Sequence, residues 1–221
     1  MRNQLNSESR KEFQFDRIIF FSDGVFAIAI TLLVIDLKLP EIPKEVLTEK
    51  KLIENLAHLI PRFIGFLISF FVIGQYWTVH HRLFGYVTNY TNRLIWLNLF
   101  FLLAVVLMPF STAYYSEYIP LLLNSPVIVY VTNISFLGIM SYILWKYISA
   151  PKLKLTEGLS KAMSNYYSFR AITIPFIFIT MALIYLFIAP VYAMCIPMFI
   201  PLIMWFIKKH FEKKIKEEAI N

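Results

Sequence analysis

Between residues 171 and 207 the chain runs for 37 residues without one charged side chain. A helix crossing the hydrocarbon core of a bilayer needs about 20 apolar residues. The stretch is too long for one such helix and long enough for two. Ala189-Pro190 is the natural break, because proline cannot continue a helix and favours a tight turn. Four further apolar runs lie upstream. The spans expected are roughly 17–38, 59–81, 93–116, 126–146, 168–188 and 190–208. The fold class is therefore all-α: a polytopic membrane protein in which residues 1–221 form a single six-helix transmembrane domain. Asn124 or Ser125 is the expected N-cap of the fourth helix, with Pro126 at its first position. Pro197 and Pro201 predict kinks in the sixth. Alternating Glu and Lys over 41–56 predict a partly helical loop.

Composition excludes the alternatives to a membrane fold. Hydrophobic residues make up 58% of the chain and charged residues 16%, against about 25% charged in a soluble domain. That is too little charge for a soluble surface or for disorder. The first span is not a signal peptide: it is too long, contains Asp23 and lacks a small-x-small cleavage site. The net charge of +7 does not imply nucleic acid, because the basic residues sit at the ends of apolar runs with no aromatic-interleaved basic face. They follow the positive-inside rule instead. The N-terminus, the loops after spans two and four, and the tail with Lys208 to Lys216 carry most of them, so both termini are expected in the cytoplasm. The tail is expected against anionic lipid or in solvent. Cys195 reads as a small buried apolar residue.

An ionisable residue inside a membrane helix is costly and points to function. Asp23 is such a residue. It either caps the helix or snorkels to the interface, or it joins a buried polar cluster with Arg17, Ser22 and a partner from another helix. Ile28, Thr31, Leu32 and Ile35 recur at i, i+3, i+4 and i+7 and share one face. Gly24 and Phe21 extend that face. Asp23 lies about 140° around the helix from Ile28, so the two meet different neighbours. Periodicity alone leaves the stripe as a lipid-facing face, a packing face or a pore lining.

Arg17-x-x-x-Phe21-Ser22-Asp23, followed by Gly-Val-Phe-Ala-Ile-Ala-Ile-Thr-Leu-Leu, resembles the opening of the transmembrane protein 175 family, the lysosomal potassium channels and their prokaryotic relatives. The resemblance extends to Trp77-Thr-Val-His80-His81, to Asn98 and to Met108-Pro109-Phe110-Ser111-Thr112. It implies a single-repeat prokaryotic channel in the cell membrane, assembled as a homotetramer with the first helix lining the pore. It implies no cofactor beyond the permeant potassium ion. Carried over, Ile28 is the narrowest ring, Leu32 and Ile35 are outer rings, and Thr31 supplies a hydroxyl. Arg17, Phe21, Ser22 and Asp23 form the signature, whose polar members are expected to meet Trp77 and His80 or His81. No Thr-Val-Gly-Tyr-Gly filter is present, so a ring of isoleucines is expected to gate by dewetting.

Rival readings are a secondary transporter, for which no internal repeat is visible, and a proton-permeable leak channel using Asp23 and the histidines. An enzyme would need a catalytic constellation, and Asp23, His80 and His81 are its sole candidates. Adjacent histidines diverge by about 100° on a helix, so they do not form a metal pair, and no metal site is expected. Asp36 is expected at the external mouth or paired with a lysine. Trp96, Tyr114, Tyr115, Tyr118, Trp145 and Trp205 read as interface anchors.

Overall fold

The structure is a computed structural model describing residues 2–35, 37–38, 43 and 47–220, with side chains described at 13–35, 37–38, 43 and 47–218. Asp36 lies outside the described residues. Helices form α1 (Arg2–Ile35), α2 (Glu49–His58), α3 (Ile60–Phe84), α4 (Asn92–Val106), α5 (Met108–Tyr118), α6 (Asn124–Ile148), α7 (Lys161–Phe187), α8 (Pro190–Ala193) and α9 (Ile200–Ile220). Six stretches are long and apolar enough to cross a membrane, from Phe13–Ile35 to Pro190–Glu218.

Prolines explain most departures from six plain rods. The third span is interrupted at Leu107, between α4 and α5, because Pro109 has no N–H to continue the ladder. The sixth is broken into α8, a 3-10 turn over Ile196–Phe199, and α9, around Pro197 and Pro201. The expected cap of the fourth helix is corrected. Leu123 occupies the N-cap position without a side-chain hydrogen bond, and the Ser125 hydroxyl pairs with Tyr114 instead at 3.1 Å. The fifth helix begins at Lys161, earlier than 168, because the Ser160 hydroxyl accepts the Met163 N–H at 3.2 Å and caps it there.

α6 lies at the centre, packed on α4, α5 and α7. Trp145 is wholly buried and its Nε1–H donates to the Ser164 carbonyl at 3.0 Å. It is a core residue, not an interface anchor, because the indole finds its polar partner between helices. Tyr115 likewise stacks on Tyr130 at 4.7 Å. Cys195 is exposed, contrary to the buried position expected; an apolar side chain facing lipid has no need of internal burial.

Phe15 of α1 and Glu218 of α9 reach one end of the bundle. Phe15 stacks on Phe84, the Thr88 N–H donates to the Leu155 carbonyl at 2.9 Å, and the Ala162 N–H donates to Glu218 at 2.7 Å. The loops after α3 and α6 are thus stitched together with α9, and this end carries Arg82, Arg93, Lys146, Lys154 and Lys161.

Candidate functional site

α1 divides into two faces. Ser22, Phe26, Ala29 and Leu33 recur at i, i+4, i+7 and i+11 and are buried against α3, α4 and α5, with Phe26 and Ala29 1% exposed. Gly24, Ile28, Thr31 and Ile35 keep the same spacing about 160° away. That second face is open: Ile28 is 60% exposed, Ile35 61% and Leu32 40%. A Cβ added at Gly24 would meet nothing within 4 Å. The Thr31 hydroxyl donates to the Ile28 carbonyl at 2.9 Å, which leaves its oxygen lone pairs as the free polar feature.

Behind the stripe a directed chain of hydrogen bonds ties α1 to α3 and α4. The Ser22 hydroxyl donates to the Ile18 carbonyl at 2.8 Å. It therefore accepts from Asn98 Nδ2, at 2.9 Å. Asn98 Oδ1 in turn accepts from His80 Nε2 at 2.8 Å. The imidazole stacks on Phe84 and Phe101, with ring centroids 4.1 and 5.4 Å away. Three helices meet at one amide, and both ends of that amide are taken up, while His80 Nδ1 is buried without a hydrogen-bond partner among the described residues.

Asp23 belongs to a separate pair. Its carboxylate accepts from Trp77 Nε1 at 2.9 Å, and His81 stacks on the Trp77 indole at 5.6 Å. Asp23 thus joins a partner helix rather than capping its own. Arg17 is not brought to it. Arg17 is exposed and is in none of the ion pairs or side-chain hydrogen bonds found among the described residues. The reason is helical: six residues before Asp23, Arg17 lies about 120° around α1, on the side of the open stripe. Phe21 stands beside it in a shallow cavity of about 320 Å³ that Asn98 also lines. Sequence reading singled out Asn98 without a role. Its signal was an asparagine amid Leu94–Val106, where an amide needs a partner. Among the described residues no three His, Cys, Asp or Glu side chains stand together as a metal site.

Asn98→Leu is expected to strand the His80 Nε2–H in an apolar surround, at a cost of about 1–3 kcal/mol. The thermal midpoint of the detergent-solubilised protein should drop, and Ser22→Ala should lower it less. An unchanged midpoint for Asn98→Leu contradicts the chain of bonds.

Six membrane-length helices, whose large apolar side chains are turned outward as well as into the core, define a polytopic α-helical membrane protein. Residues 17–109 match the family profile described as the endosomal/lysosomal potassium channel TMEM175. A potassium channel of Streptomyces collinus is 41% identical over 103 residues, 47% of this chain and 48% of the relative. The chicken protein described as the endosomal/lysosomal proton channel TMEM175 is 38% identical over 109 residues, 47% of this chain and 21% of the relative. The chain spans about half the length of the curated bacterial relatives it matches. The crystal structure of a lysosomal potassium-selective channel TMEM175 homolog from Chamaesiphon minutus superposes with a TM-score of 0.71 at 25% identity, covering 90% of this chain and 98% of that one. The resemblance to the TMEM175 family is thereby shown, in sequence over the matched stretch and in fold over nearly the whole chain.

Proposed function

We propose that this chain conducts potassium passively across a prokaryotic plasma membrane, as a homotetramer whose α1 helices line the pore. The observation that carries this reading is the division of α1. One face is sealed against its own chain while the opposite apolar face, Ile28, Leu32 and Ile35, lies open. Four copies turned inward would close those side chains into rings. The S. collinus relative and the C. minutus homolog, both described as potassium channels, support the ion. Ile28 forms the narrowest ring and Thr31 offers its lone pairs beside it. A narrow apolar ring sheds water and stops conduction; a wider one passes the cation that gives up hydration water most readily. The basic end of the bundle, which Phe15 and Glu218 reach, faces the cytoplasm.

Reconstitution in liposomes tests this. Currents with unitary steps that scale with voltage, and that are larger in potassium than in sodium, are expected. Slow, saturable, coupled flux would instead identify a transporter. The second reading, a proton leak through Asp23 and the histidines, is favoured by the description of the chicken relative. It predicts collapse of an imposed pH gradient that Asp23→Asn abolishes while potassium flux persists.

A further inference from the structure

The basic end of the bundle holds a cavity of about 800 Å³ that the conduction pathway does not use. It lies between the last turn of α6 and the first turn of α7. Lys146, Lys154 and Lys161 line it together with the hydroxyls of Ser149, Ser160 and Ser164, and Glu157 is the one acid in the lining. Lys146 and Lys154 take part in none of the ion pairs among the described residues. The Lys146 ammonium rests over the Tyr142 ring, 5.6 Å from its centroid, and three lysines against a single acid leave the hollow with a positive potential that attracts an anion.

The walls are held in place. Lys154 follows a 3-10 turn over Pro151–Leu153 and sits at φ 49°, a left-handed conformation that a lysine rarely adopts. Leu155 beside it is buried, and its carbonyl receives the Thr88 N–H at 2.9 Å. The Glu157 N–H donates to the Tyr86 carbonyl at 3.0 Å. The strained backbone at Lys154 is therefore pinned on its C-terminal side by the loop after α3.

A carboxylate already engages two residues of the lining, Ser160 and Lys161. Glu218, from the far end of α9, accepts the Ala162 N–H at 2.7 Å, with the Ser160 hydroxyl and the Lys161 ammonium alongside. An anion from this chain is thus seated on residues that the cavity shares.

We infer that this cavity binds a phosphate-bearing anion, with Glu218 as its internal competitor. Phosphate fits the donor set: compact ammonium groups, hydroxyls and the Ala162 N–H at the start of α7 once Glu218 leaves it. The cavity lies where α6 and α7 leave the membrane, so the phosphate reaches it as a lipid headgroup or as a free solute.

The test uses the full-length protein at fixed ionic strength. Cardiolipin retention is read by native mass spectrometry after transfer from phosphatidylcholine nanodiscs doped with cardiolipin, and inorganic pyrophosphate binding by calorimetry. Binding of either probe supports the site, and which of them binds identifies the source. The triple variant Lys146→Gln, Lys154→Gln, Lys161→Gln should weaken binding at least about tenfold. Glu218→Gln should strengthen it about two- to fivefold. The triple variant Lys208→Gln, Lys213→Gln, Lys214→Gln removes the same charge outside the cavity and should change it less than about twofold. Absence of binding by both wild type and Glu218→Gln overturns the inference. So does an equal loss in the two triple variants. Neither outcome bears on conduction, because both readouts are binding.

Discussion

Ile28→Asn is expected to raise single-channel conductance and to bring the potassium-to-sodium permeability ratio close to one. An isoleucine ring offers permeating water no hydrogen bond, so a narrow ring empties and the ion meets a desolvation barrier. Asparagine at the same position supplies amide donors and acceptors that keep the constriction wet. Lowering the barrier by about 1.4 kcal/mol raises the flux roughly tenfold. Both ions then pass with their shells largely intact, and discrimination by dehydration is lost. Bi-ionic reversal potentials check this. Val34→Asn is the control: Val34 is also exposed on α1, but six residues on it points about 120° away from Ile28. An unchanged ratio in Ile28→Asn removes Ile28 from the constriction, whatever the conductance does.

Gly138→Ala is expected to be the most damaging single-methyl change in the membrane core. An added Cβ would lie 1.9 Å from Pro175 Cγ, 2.7 Å from Pro175 Cδ and 2.9 Å from the Tyr76 hydroxyl oxygen. No rotamer relieves this, because the clash begins at the first side-chain atom and the obstacle is a rigid ring. α6 and α7 must separate, and overpacking of this kind costs about 1–3 kcal/mol or more. The yield of monodisperse protein and its thermal midpoint should both fall. Gly65→Ala should be milder: its Cβ would meet the Ser116 Cβ at 2.9 Å, and that contact opens with a small shift between α3 and α5. Gly24→Ala touches nothing within 4 Å among the described residues, so no loss of stability is expected from it in the isolated chain. A Gly138→Ala protein as stable as the parent would contradict the close approach of α6 to Pro175.

Much of this architecture was legible before any coordinates. Apolar run length located the six spans, and the 3.6-residue period placed Ile28, Thr31 and Ile35 on one face. Proline chemistry marked the break at Ala189-Pro190 and the irregular start of the last span. Legibility failed where a residue's role depends on a distant partner. Asn98 acquires its role from Ser22 and His80, 76 and 18 residues away, and nothing in its local sequence names either. Arg17 and Asp23 share one motif, yet helical rotation sends them to different sides of α1. Trp145 looked like an interface anchor because it ends a span, but the Ser164 carbonyl on α7 receives its N–H in the core.

The sequence by itself determined that the chain lives in lipid, where its helices run and which residues of α1 travel together. Only the tertiary structure decided which of those residues face in. In water, apolar character marks the core. In a bilayer the surroundings are as apolar as leucine, so Phe26 and Ile28 are equally at home on either side of α1. The choice between them is made by packing: Phe26 fits beside His80 and Phe101, and the Ser22–Asn98–His80 bonds turn that face inward. The rotation that satisfies those polar groups leaves Ile28 and Ile35 open on the opposite side.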